Sequence, residues 1–125
     1  MKTKKKRVLI VDDSTRLRED MKEALASAGM EVSGEASNGA EVVSLYTSSK
    51  PDVVLLDTQL PLKNGPEVLA DLKKAAPKAR VVLLANLGEE ALVEQLLGQG
   101  ATDFLIRPVV PADAAQVLKR VAELA

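Results

Sequence analysis

Cysteine, histidine and tryptophan are absent from the 125 residues. Without cysteine there is no disulfide framework, no thiolate nucleophile and no zinc cluster. Without histidine a serine–histidine triad is excluded, and so is any histidine that carries a phosphoryl group. Tyr46 and Phe104 are the whole aromatic complement. That leaves no stacking platform for single-stranded nucleic acid and nothing to sandwich a flavin, so no direct nucleic-acid binding is expected. No apolar stretch approaches the roughly 20 residues of a membrane helix. The apolar stretch behind the opening MKTKKKR is too short for the hydrophobic region of a signal peptide. A cytoplasmic protein with no membrane partner is the expectation. Neither sign of charge dominates, with 17 basic against 18 acidic residues, so global charge names no partner. Any chemistry falls to carboxylates, hydroxyls, lysines and arginines.

What is present suits a soluble domain with a proper core. Hydrophobic residues make up 46% and charged residues 28%, an ordinary globular balance. The length predicts a single domain over residues 1–125. Residues 1–6, with Lys2, Lys4, Lys5 and Lys6, read as a solvated basic lead-in.

Short continuous apolar runs recur at 8–11 (VLIV), 53–56 (VVLL), 81–84 (VVLL) and 104–106 (FLI). Runs of this kind suit strands covered on both faces, as in a parallel sheet. The stretch 30–36 (MEVSGEA) mixes polar and apolar residues and reads as an edge strand. Between the runs, Leu17, Met21, Leu25 and Ala28 recur at helical steps with Arg16, Arg18, Glu19, Lys22 and Glu23 outside, and Gly29 supplies a stop. A weaker helix spans Ala40 to about Ser48, after the turn pair Asn38-Gly39. Val68, Leu69 and Leu72 mark a third helix. Val93, Leu96 and Leu97 mark a fourth, ended by Gly98 or Gly100. Val117, Leu118, Val121 and Leu124 mark the last. Strand and helix alternate five times, which predicts a doubly wound α/β fold with right-handed crossovers.

In such a fold ligands sit beyond the carboxyl ends of the strands, near the point where strand order reverses. Asp12 and Asp13 end the first run, and Asp57 ends PDVVLLD. With the flavodoxin-like strand order 2-1-3-4-5 the first and third strands are neighbours, so the three carboxylates converge. Like charges gathered at a sheet edge repel one another. They make sense around a hard divalent cation, which takes oxygen ligands. Arg107, followed by Pro108, adds a cation at the same rim. An acid cluster, a metal and a fixed cation are the parts that phosphoryl transfer needs.

VLIVDDS, GEASNGAE, PDVVLLDTQLPLKNG, PKARVVLLA and GATDFLIRP, in this order and spacing, resemble the receiver domain of two-component response regulators, the family of the stand-alone chemotaxis regulator. The resemblance covers nearly the whole chain. It implies a flavodoxin-like (βα)5 fold with Asp57 as phospho-acceptor. It also implies magnesium held by Asp13, Asp57 and the backbone carbonyl of Gln59, with Asp12 in support directly or through water. The implied donor is a phosphohistidine on a sensor histidine kinase or a phosphotransfer protein. The implied output surface, for a downstream protein or domain, is the fourth helix, fifth strand and fifth helix. Such a chain catalyses only its own phosphorylation and dephosphorylation. The resemblance further implies a cis peptide before Pro108, aiming Arg107 into the site.

Two positions depart from the family pattern. Ala85 stands where a threonine or serine is usual at the end of the fourth strand, and Arg107 stands for the usual lysine. Asn86 lies one residue later and is expected to face the other way. Phe104 matches the aromatic partner of the family's switch, and as an alternative is a half-buried core residue. Pro61 and Gly65 are expected to shape the loop after Asp57, the glycine by permitting an unusual conformation. Three readings follow: a phospho-accepting signalling domain, a degenerate receiver that binds protein without phosphorylation, and a small flavodoxin-like cofactor binder. The last lacks a serine- and threonine-rich phosphate loop after the first strand.

Overall fold

The structure is a computed structural model that describes residues 4–124. Lys2, in the basic lead-in, lies outside the described residues. Five strands, β1 (Arg7–Val11), β2 (Glu31–Ala36), β3 (Val53–Asp57), β4 (Val81–Ala85) and β5 (Asp103–Ile106), form one parallel sheet of order 2-1-3-4-5. Helices α1 (Thr15–Ser27), α2 (Val42–Ser49), α3 (Gly65–Ala75), α4 (Glu90–Gly98) and α5 (Pro111–Ala122) alternate with them. A short 3-10 turn over Gly39–Glu41 leads into α2, so the second helix begins two residues later than its apolar pattern suggests.

The apolar runs become strands because both faces of the sheet are covered. Successive residues point to opposite faces, and β3 and β4 are buried along their whole length. Leu9, Val11, Val54, Leu56, Val81 and Leu83 pack on one side with Val68, Leu69, Leu72, Val93 and Leu96. Val8, Ile10, Val53, Leu55, Val82 and Leu84 pack on the other with Met21, Leu25, Leu118 and Val121.

β5 departs from the expectation of two covered faces. It is an edge strand beside β4 alone, and Phe104 is 40% exposed. Phe104 belongs to neither core cluster, so the alternative reading of it as a half-buried core residue does not hold. Leu124 also differs: α5 ends at Ala122, which leaves Leu124 past the helix and exposed.

Helix ends are set by local chemistry. The Ser14 hydroxyl accepts from the Leu17 N–H at 3.1 Å and starts α1. Gly29, at φ 79, adopts the left-handed backbone that stops it. The register then places the strand ends. Val11 pairs with Leu56 and Ala85 with Ile106, so Asp12, Asp57 and Arg107 arrive at the same edge of the sheet.

Candidate functional site

Asp12 follows β1 and is fully buried, Asp57 closes β3 at 3% exposed, and Asp13 faces solvent. Ligand oxygens of all three lie within 4.8 Å of one another. They line a cavity of about 230 Å³ together with Ser14, Gln59, Asn86 and Arg107. A larger groove of about 680 Å³ opens at the far end of β1 beside Lys4 to Lys6 and Arg7. There the Arg7 guanidinium already pairs with Glu31 and donates to the Ser49 carbonyl. The acids therefore mark the site.

Each buried acid has its partners. Asp12 Oδ1 accepts from the Ser14 N–H at 2.9 Å, and Oδ2 accepts from Arg107 Nη2 at 2.5 Å. Asp57 Oδ1 accepts from the Gln59 N–H at 2.9 Å, and Oδ2 lies 3.2 Å from the same Arg107 Nη2. One nitrogen thus spans two carboxylates, with the closer contact to Asp12 and not to Asp57. The Arg107–Pro108 peptide is cis, as the resemblance implies, and Arg107 is anchored by its own N–H to the Ala85 carbonyl.

Burial raises the Asp57 carboxyl to about 6, above its ordinary 3.8, against the lowering bond from Gln59. Asp12 and Asp13 raise it further and Arg107 opposes them. Its negative form is costly even with Arg107 at 3.2 Å, and a further cation would offset that cost. The donor set of three carboxylates is all oxygen, which fits a hard divalent ion such as magnesium. Asp12, Asp13 and Asp57 are the side chains placed to hold one.

Ala85 and Asn86 reverse their expected places. Ala85 is fully buried and packs into the cluster on the α3 and α4 side. Asn86, past the end of β4, lines the acid cavity. Strand alternation stops being a guide once the chain leaves the sheet. Gly65 also has a different reason from the one anticipated. Its φ is not among the positive ones; a Cβ there would stand 2.6 Å from Thr58 Cα. The left-handed position in that loop belongs to Leu62, at φ 69, one residue after Pro61. Arg18, read as outward, donates to the Asp12 carbonyl at 2.7 Å and pairs with Glu35 at 3.1 Å.

Glu89 carries no motif signal, since an acid at the start of a helix is ordinary. It is nonetheless the most heavily bonded carboxylate near the site. Oε1 accepts from the Thr58 hydroxyl at 2.8 Å, from the Asn86 N–H at 2.7 Å and from Asn86 Nδ2 at 3.2 Å. Oε2 accepts from Gln59 Nε2 at 2.7 Å. Burial works against its charge, but the bonds from Asn86, Gln59 and Thr58 outweigh burial and hold the carboxyl below its ordinary value.

A parallel five-stranded sheet of this order, delivering three carboxylates and an opposing cation to one cavity, is the architecture of a two-component receiver. The chain belongs to the response regulator receiver domain family, whose sequence model matches residues 8–120. It is 37% identical over 118 residues to the chemotaxis protein CheY of Thermotoga maritima, across 94% of this chain and 98% of that protein. The response regulator domain of Thermotoga maritima CheB is similar in structure, with TM-score 0.87 at 31% identity, over 98% of this chain and 99% of that one. CheY from Borrelia burgdorferi, solved with CheX, BeF3 and magnesium, has TM-score 0.87 at 31% identity, over 93% and 88%.

Proposed function

We propose that this receiver accepts a phosphoryl group on Asp57 from the phosphohistidine of a sensor histidine kinase or phosphotransfer protein, and that α4, β5 and α5 form the surface met by an output partner. The observation that carries the reading is the convergence of Asp12, Asp13 and Asp57 within 4.8 Å at the carboxyl edge of β1 and β3, with Arg107 across them. An Asp57 oxygen attacks phosphorus, and the donor's P–N bond breaks with its electron pair returning to the imidazole. The acyl phosphate that results is later hydrolysed. The Gln59 N–H holds one Asp57 oxygen and so orients the other. Asp13, Asp57 and the Gln59 carbonyl would hold magnesium, with Asp12 in support. When bound, magnesium supplies positive charge against the phosphoryl oxygens. Arg107 has a planar fork of donors for the same oxygens. The domain acts on no external substrate.

A second reading, a receiver that binds its partner without phosphorylation, is favoured by two features. Ala85 offers no hydroxyl, and Arg107 is already engaged by Asp12. The readings separate on incubation with acetyl phosphate and magnesium, followed by intact-mass measurement. The expected result is a gain of one phosphoryl group that is lost in Asp57→Asn and without magnesium. An unmodified wild-type chain selects the second reading.

A further inference from the structure

Glu89 precedes α4 as its N-cap residue, yet its carboxylate makes no cap bond to its own helix. It turns back to gather Thr58 and Gln59 from the loop after Asp57, and Asn86 from the loop after β4. Two of these three partners, Gln59 and Asn86, line the acid cavity, whereas Glu89 does not. The side-chain amide of Gln59 and the N–H and amide of Asn86, two residues that line the cavity, are therefore held by an internal anion, and that anion stands at the start of a helix.

We infer that Glu89 is a latch: its carboxylate holds the Gln59 and Asn86 donors until a phosphoryl group on Asp57 competes for them, and its release frees the start of α4. The inference rests on Asp57 being the acceptor. A phosphoryl group brings a charge of about −1.5 to −2 and three acceptor oxygens, into a cavity whose neutral lining residues are Ser14, Gln59 and Asn86. Drawing the Gln59 amide and the Asn86 donors onto a phosphoryl oxygen moves them away from the Glu89 carboxylate that holds them now. Once displaced, Glu89 has a second place to go, the unpaired N–H groups at the start of α4, where a negative charge is favourable. That provides two discrete arrangements for one side chain. It also gives the chain a route from Asp57 to α4 that needs no hydroxyl at position 85. Glu89 touches no reacting atom, so it is a positioning residue.

The test uses beryllofluoride with magnesium as the phosphoryl mimic, read by backbone amide resonances in the native chain, in Glu89→Gln and in Thr58→Val. In the native chain the mimic should displace the amides of Asn86 and residues 90–93. In Glu89→Gln these amides should be displaced before the mimic is added. That variant should also bind the mimic about tenfold more tightly, because a neutral acceptor competes less well than a charged one. Thr58→Val keeps the charge, removes one latch bond and fills nearly the same volume, so it should move both readouts the same way by less. Wild-type affinity in Glu89→Gln, with α4 responding as in the native chain, overturns the latch and leaves the acceptor reading standing. Failure of the native chain itself to bind the mimic overturns both.

Discussion

At Asp57 the physics of a single side chain sets a testable pH dependence. Burial holds its carboxyl at about 6 in the folded chain, against an ordinary 3.8. Between these values the folded chain keeps a proton that the unfolded chain has lost. Ionised Asp57 therefore weakens the fold above about pH 6, and this cost fades as the pH falls toward 4. Asp57→Asn should raise stability at pH 7 to 8 by up to about 2–3 kcal/mol in chelator, since each pKa unit is worth about 1.4 kcal/mol. By pH 4 the two chains should unfold at the same denaturant midpoint. A variant no more stable than the native chain at pH 8 would show that Arg107 already offsets the charge. Gly65 belongs to the same scale: its place beside Thr58 is a matter of space, which a residue's neighbours in sequence do not reveal.

On the proposal that Asp57 is phosphorylated, β4 and α4 are the elements that set how far the change travels. The end of β4 presents Ala85, buried among apolar side chains, so it has no donor to draw toward the cavity. The edge strand β5 leaves Phe104 40% exposed and outside both clusters. The latch at Glu89 reaches α4 but makes no bond to β5. We predict that beryllofluoride shifts the amides of the β4–α4 loop and the first turn of α4 while leaving Phe104 nearly unmoved. A hydroxyl bond to a charged group contributes about 1.5–3 kcal/mol, enough for a roughly 10- to 100-fold bias between two states. Ala85→Thr places such a donor at the end of β4, where turning it from the apolar cluster toward the mimic moves the strand end that pairs with β5. The change should then extend into β5 and α5. An equally large response at Phe104 in native and threonine chains would show that the hydroxyl is not what couples β5.

For the molecule as a whole, one sheet separates two apolar clusters and shares its strands between them. Losing the helices on either side bares that face of strands whose opposite face carries the other cluster, so the sheet that both clusters need is destabilised. Unfolding should then be a single cooperative event, as is usual for domains of this size. Leu118 is fully buried on the α1 and α5 side, and Tyr46 packs against the opposite cluster. Leu118→Ala should cost about 2–5 kcal/mol. It should move the Tyr46 fluorescence transition and the circular dichroism transition to the same lower denaturant midpoint. A midpoint at Tyr46 that stays behind would mean that the two faces unfold independently.

The fold was legible in the sequence because its signals are local and periodic. VLIV, VVLL and VVLL are short apolar runs that suit a doubly covered strand, and the helices between them keep a helical step. Asp12, Asp13 and Asp57 were legible because each stands at the end of such a run, and a parallel sheet brings those ends together. The contacts decided beyond the strand ends were not. Whether Ala85 or Asn86 meets the cavity depends on the path of the chain after β4, where alternation no longer applies. Glu89 closes on Thr58 from 31 residues away, and Arg107 settles on Asp12 from 95 residues away. Distances of that kind are set by how loops cross the edge of the sheet. Only the assembled tertiary structure, which brings all five strand ends to one rim, determines them.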